Sequence, residues 1–259
     1  MRTQIAAMMV VFAAVLVFGT SGPVRAVTLV EDFSGGIPSG WVIESLDANG
    51  APWTLTAPDE MGWLQIAKAA DDDPLTAYQA IGAGITSQFM LVGDFSIWMN
   101  FNLVDFPASN GNGWNEALLN VNNAAGRFEV LRARGTASNF VEGYSTQSLG
   151  AVADSTTEGL LGITRQGQTL SAWIDDGSGP VLVGSDTSPA LAGPMRVFVE
   201  AAQQEYDPYT RPSTALDVRF NDISITADTI TPEPSTLALL GAGAVGVLAY
   251  GWRRRRCAR

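Results

Sequence analysis

Between Phe95 and Leu103 the chain alternates without a break. Phe95, Ile97, Met99, Phe101 and Leu103 fall on one side, and Ser96, Trp98, Asn100 and Asn102 on the other. Successive side chains of an extended strand point to opposite faces, so this stretch predicts a strand with one face buried. A helix, with its period of 3.6, would scatter the same apolar residues around its axis. Leu170, Ala172 and Ile174 alternate with Thr169, Ser171, Trp173 and Asp175 in the same way. Asp176-Gly177-Ser178-Gly179 then turns into Val181-Leu182-Val183, which predicts a hairpin. Near the end, Leu216, Val218 and Phe220 give way to Ile223 and Ile225. That three-residue step breaks the period of two and predicts a bulge at Asn221-Asp222. No window carries an amphipathic helix and no repeat recurs at a fixed period. One all-β sandwich is the expectation for the middle of the chain.

The two ends differ from that middle in charge. From Val27 to Thr231 there are 25 acids and 8 bases, a net charge of −17, whereas Arg2, Arg25, Arg253, Arg254, Arg255, Arg256 and Arg259 flank it. Arg2 precedes an unbroken apolar and small-residue run from Ile5 to Phe18, and Gly19 to Ala26 closes in Val24-Arg25-Ala26. This is the layout of a secretory signal peptide over residues 1–26, with cleavage between Ala26 and Val27. At the other end, Thr231-Pro232-Glu233-Pro234-Ser235-Thr236 leads into the apolar stretch Leu237 to Trp252 and then the four arginines. As a helix that stretch is about 24 Å long, short for a bilayer core, so bilayer thinning or arginine snorkelling must help it span. The arginines belong on the cytoplasmic side, which leaves the acidic domain across the membrane. The organisation expected is therefore a signal peptide at 1–26, one sandwich domain at 27–230, and a membrane tail at 231–259.

Composition removes several chemistries. The chain has no histidine and one cysteine, which excludes Ser-His-Asp and Cys-His catalysis, imidazole zinc sites and any internal disulfide. Lys68 is the only lysine, and the acidic balance argues against a nucleic-acid partner. What remains is carboxylates, tryptophans and hard cations.

The tail resembles a known sorting signal. Pro232, Glu233, Pro234 and Ser235, followed by a short apolar segment and by Arg253, Arg254, Arg255 and Arg256, resemble the PEP-CTERM signal of Gram-negative bacteria. The resemblance implies export across the inner membrane and transient anchoring through the C-terminal helix. It also implies exosortase, a membrane protease-transpeptidase, as a partner, and a final location at the cell surface or outside the cell. Its carriers tend to occur in bacteria that make extracellular polysaccharide.

The middle resembles the concanavalin A-like lectin and glucanase sandwiches, a jelly-roll. Glu31-Asp32-Phe33-Ser34-Gly35-Gly36 with Gly40-Trp41, Gly93-Asp94-Phe95-Ser96-Ile97, Leu161-Gly162-Ile163-Thr164-Arg165-Gln166-Gly167 with Trp173, and Asp217 to Ile223 carry that resemblance in order. It implies the fold, and it leaves open sugar-binding modules, glucanases and adhesion modules.

Candidate sites follow from the remaining chemistry. Glu205 and Asp207 resemble the start of the E-x-D-x-x-E motif of sandwich-fold glucanases, but Thr210 stands where the second Glu belongs. No catalytic residue is assigned on that basis. Asp71-Asp72-Asp73, Asp175-Asp176-Gly177 and Asp47-Ala48-Asn49-Gly50 offer oxygen ligands for calcium, but none has EF-hand spacing, so no metal or cofactor is assigned. Trp98 and Trp173 fall among Ser, Asn, Thr and Asp on the polar side of their strands, and Trp114 sits in a Gly/Asn-rich loop. These three are the candidate glycan-binding residues; the bland alternative makes Trp98 and Trp173 second-layer core. The expected function is a non-enzymatic surface or matrix protein that binds polysaccharide. Its alternatives are a glycan-cleaving enzyme and a purely structural exoprotein.

Overall fold

A computed structural model describes residues 26–45, 53–70, 79–109, 113–205 and 214–232. Residues 1–25 of the expected signal peptide, the apolar tail, the arginine cluster, Glu233, Pro234, Ser235, Asp207, Thr210 and the aspartates at 47 and 71–73 lie outside the described residues. Among those described, no helix is long and apolar enough to cross a membrane.

The described residues form fifteen strands and one short 3-10 helix, Pro189–Leu191. The first eight strands are β1 Val27–Glu31, β2 Trp41–Ser45, β3 Trp53–Thr56, β4 Leu64–Lys68, β5 Gln79–Ser87, β6 Phe89–Asp105, β7 Trp114–Asn123 and β8 Gly126–Arg134. The rest are β9 Asn139–Tyr144, β10 Ser148–Ala153, β11 Glu158–Gln166, β12 Thr169–Asp175, β13 Val181–Asp186, β14 Arg196–Glu205 and β15 Leu216–Pro232. They make two antiparallel sheets. One runs β13-β12-β11-β6-β15-β4-β3, with β1 also paired to β15, and the other runs β10-β9-β8-β7-β14-β5-β2. The core lies between them. Ile97, Met99, Phe101, Val218, Phe220, Ile223 and Ile225 from the first sheet meet Ala117, Leu119, Val121, Phe128, Val130, Val197 and Val199 from the second.

The alternation that predicted a strand at Phe95–Leu103 belongs to a longer one. β6 passes through Gly93 without stopping, and Gly93 has φ +79°. A side chain at Gly93 would strike the carboxylate of Asp228, which accepts from the Asp94 amide at 2.8 Å. The Gly93 carbonyl in turn accepts from Arg165 Nε. The β11–β12 hairpin turns at Gly167, whose amide donates to Asp94 Oδ1. The β12–β13 hairpin also forms as the sequence predicts. Its turn is held by Asp175 Oδ1, which accepts from the amides of Gly177 and Gly179. The expected bulge is present: the β15–β6 register shifts between Asn221 and Ser224, and Asp222 takes a left-handed φ of +48°. β15 continues through Thr231, opposite Met90, to Pro232, opposite Phe89, where Pro232 has no N–H to donate to the ladder.

Candidate functional site

Outward-pointing residues of the seven-stranded sheet form a groove that no single strand advertises. β7 directs Glu116, Leu118 and Asn120 away from the core, because Ala117, Leu119 and Val121 enter it. By the same parity β8 contributes Arg127, Glu129 and Leu131, β9 Phe140, Glu142 and Tyr144, and β14 Phe198, Glu200 and Gln204. Register then fixes rows across the sheet. Glu200, Leu118, Leu131 and Glu142 share one row, and Thr86, Phe198, Asn120, Glu129 and Tyr144 share the next.

The floor is apolar. Leu118, Leu131, Ala133 and Ala202 form a cluster separate from the main core, with Trp114, Phe140 and Tyr144 packed on it. Trp114 and Phe140 meet edge to face, with ring centroids 5.0 Å apart. Above this floor is a cavity of about 300 Å³ lined by Glu116, Arg127, Glu129 and Glu142 among the aromatic rings.

Three of these carboxyls are sunk deeply for an outer face: Glu116 is 4 % exposed, Glu129 3 % and Glu200 8 %. Burial disfavours the charged form. It pushes Glu116 up to about 8, with the charge of Glu129 adding to the rise. It pushes Glu129 and Glu200 up to about 7, and Arg127 pulls each partly back. Arg127 lies 3.4 Å from Glu129 Oε1 and sits over the Tyr144 ring. Gln204 donates to Glu116 at 2.8 Å, and Asn120 Nδ2 to Glu200 at 3.0 Å. Among the described residues, three buried oxygens in one row have no partner: Thr86 Oγ1, Asn120 Oδ1 and Glu129 Oε2.

The sequence-based candidates divide between the two sheets. Trp98 and Trp173 share the outer face of the eight-stranded sheet and flank Gly162 in one row. They are half-buried there, outside the main core. Trp114 sits on the other sheet, in the groove, so the three tryptophans do not form one surface. Glu205 is the last residue of β14, and its proposed partners fall outside the described residues. Val27 opens β1, directly after the expected cleavage point. Among the described residues no three His, Cys, Asp or Glu side chains are grouped to hold a metal ion. Sequence reasoning missed the glutamate groove. Its one local signal was Glu116 directly before the apolar Ala117–Leu119 and Glu200 within the otherwise apolar Val197–Ala202.

The family model described as the PEP-CTERM protein-sorting motif matches residues 231–256. The chain carries a PEP-CTERM sorting motif. No curated protein sequence matches the chain at a significant level. Among solved structures, the laminarinase catalytic domain from Thermotoga maritima is similar at TM-score 0.57 and 15 % identity, over 79 % of this chain and 98 % of that one. The basic winged bean lectin, solved with Tn-antigen, gives TM-score 0.54 at 9 % identity over 78 % and 98 %. A structure from work on endo-acting O-glycanases of human gut bacteria gives 0.52 at 13 % over 79 % and 98 %. The domain that precedes the PEP-CTERM motif thus has the concanavalin A-like fold that lectins and glycan-cleaving enzymes share. Its last strand overlaps the motif by two residues, Thr231 and Pro232.

Proposed function

We propose that this is a non-enzymatic exported protein, sorted by exosortase, that binds a neutral polysaccharide in the groove of the seven-stranded sheet. The observation that carries the reading is the row of unpartnered buried oxygens on Thr86, Asn120 and Glu129. A buried acceptor left unpaired costs about 1–3 kcal/mol, and a ligand rich in hydroxyl donors relieves it. The rings of Trp114, Phe140 and Tyr144, which line the same cavity as Glu129, suit the C–H faces of a sugar. A domain with a net charge of −17 disfavours strongly anionic polymers.

In this reading the chain crosses the inner membrane of a Gram-negative bacterium and loses residues 1–26. It is then held by the apolar segment 237–252 until exosortase acts near Pro232-Glu233-Pro234. Only Glu233 to Thr236 separate β15 from that segment, so the domain lies against the membrane until the tail is processed. Intact-mass measurement of exported protein tests this: a mature chain starting at Val27 without Leu237–Arg259 is expected, and retention of the tail in released material overturns it.

A groove with raised carboxyls also supports a second reading, a glycan-cleaving enzyme. Its specific support is Glu116, held protonated at neutral pH within electrostatic reach of Glu129. Hydrolysis needs one protonated and one ionised carboxyl roughly 5–9 Å apart. Against it, register sets Glu116 opposite Ala133 and Glu129 opposite Asn120, so their Cα atoms stand four positions apart along the strands, about 13 Å. Calorimetric titration with neutral oligosaccharides and a reducing-end assay on the same panel separate the two. Binding that weakens at least fivefold in Glu129→Gln, without turnover, supports the first reading. Turnover that disappears in Glu116→Gln establishes the second.

A further inference from the structure

The opposite face of the sandwich carries an ordered surface that the groove does not explain. On the eight-stranded sheet, Thr28 pairs with Thr226, Thr226 with Ser96, Ser96 with Thr164, Thr164 with Ser171, and Ser171 with Ser185. Six strands thus contribute six hydroxyls in one straight row, about 24 Å long at the strand spacing. Thr226, Ser96 and Ser171 point outward, since the residues on either side of each enter the core, and register sets Thr28, Thr164 and Ser185 on the same face.

The adjacent row contains no charge. It runs Val30, Ser224, Trp98, Gly162, Trp173 and Leu182 across the same six strands. Trp98 and Trp173 are two strands apart, about 10 Å. Gly162 between them is required by shape: a Cβ there would stand 2.6 Å from the Trp98 six-membered ring, so that ring lies down over β11.

The two rows are tied together. Trp98 Nε1 donates to Ser96 Oγ and Trp173 Nε1 to Thr164 Oγ1, each at 3.0 Å. Each indole is therefore held in place by a hydroxyl of the neighbouring row. Each of those hydroxyls, having accepted an N–H, keeps its own O–H to donate outward. Carboxylates bound the pair of rows on both sides: Asp94 and Asp228 beyond the hydroxyls, Asp175 and Asp222 beyond the tryptophans.

We infer that this face is a second glycan-binding surface, on which a neutral polysaccharide chain lies across the strands with its sugar rings over Trp98 and Trp173 and its hydroxyls against the Ser/Thr row. A pyranose chain presents C–H faces and hydroxyls side by side, and these rows present aromatic rings and hydroxyls side by side. The acidic borders repel a polyanion, which selects a neutral polymer. The surface is built from paired strands, so it holds the chain without a conformational change. It stands whether or not the groove binds. Where the groove also binds, one molecule links two polysaccharide chains, which is the action of a matrix cross-linker.

The test measures retention of residues 27–232 within the full exported chain on insoluble cellulose, curdlan, mannan and chitin, with polygalacturonate as the anionic control. Ser171→Glu is the main variant, because it places a carboxylate in the hydroxyl row without entering the core. Trp98→Ala and Trp173→Ala accompany it, each with a melting curve to establish folding. The expected result is retention on at least one neutral polymer, lowered about five- to tenfold by Ser171→Glu and by each Trp variant that folds. Glu129→Gln, in the groove, leaves that component in place. Retention on none of the neutral polymers, or retention unchanged in folded Ser171→Glu and Trp173→Ala, overturns the inference. So does a concentration-dependent dimer that Ser171→Glu dissolves, since a second copy would then occupy the face. Loss in Ser171→Glu and the Trp variants with no effect of Glu129→Gln keeps this surface and removes the groove reading.

Discussion

The outer faces of the two sheets solve different problems with the same backbone. The seven-stranded sheet sinks glutamates among aromatic rings and holds them half-protonated or protonated near neutral pH. The eight-stranded sheet keeps its charges at the margins and fills the middle with hydroxyls and indoles whose N–H groups are already bonded. Each face also depends on one glycine. Gly84 leaves room for the Val199 carbonyl and for Glu200, and Gly162 leaves room for the Trp98 ring. A groove needs buried polar groups that await a partner, whereas a platform needs satisfied ones that stay put.

The sharpest way to separate the faces is pH. A carboxyl raised in the folded state leaves the folded form favoured while protonated, so its contribution is present below the unfolded value of 4.5 and is lost as pH rises through 7 to 8. The expected outcome is a melting temperature on the order of 10 °C lower at pH 8.5 than at pH 5.5, read by calorimetry. Glu116→Gln should flatten much of that slope, and substitutions on the tryptophan face should leave it intact. A melting temperature that rises over this range would mean the groove carboxyls are solvated.

The two glycines rank next. Gly84→Ala meets backbone, which cannot swing aside, and should destabilise by about 1–3 kcal/mol, roughly 3–10 °C in the melt. Gly162→Ala meets the Trp98 ring, a side chain and not backbone, so it should cost less than Gly84→Ala while breaking the Trp98–Ser96 hydrogen bond and shifting tryptophan emission to the red. Equal costs at the two sites would erase the distinction between a backbone-limited and a ring-limited contact.

The smallest effect expected is that of Arg127→Met. Arg127 pulls Glu116, Glu129 and Glu200 downward, so its removal should move the midpoint of the pH-dependent loss upward by less than about one unit, since its side chain is largely exposed. A downward move would show that Arg127 acts by packing on Tyr144 and not by charge.

The tryptophan face was legible in the sequence and the groove was not, for one physical reason. Strands β6 and β12 are polar on the outside, so their alternation announces both the core side and the outward set containing Trp98 and Trp173. Strands β7 and β14 place Leu118, Phe198 and Ala202 on the outward side as well, and burial on both faces turns alternation into a continuous apolar run. Glu116 and Glu200 then read as interruptions, and nothing local says that they converge. Glu205, chosen from a motif, lies one residue beyond Gln204, the residue on β14 that does enter the groove.

By itself the sequence determined the β class, the hairpin turns, the bulge at Asn221–Asp222 and the acidic domain placed before a PEP-CTERM tail, because each rests on short-range pattern, turn chemistry or charge. Which strands become neighbours is set by pairing across long stretches of chain, as when β15 inserts between β6 and β4 and β14 between β7 and β5. Only that tertiary arrangement decided that Thr86, Asn120 and Glu129 share a row, that six hydroxyls line up across six strands, and that Trp114 faces away from Trp98 and Trp173. Register is a property of paired strands, and no single strand contains it.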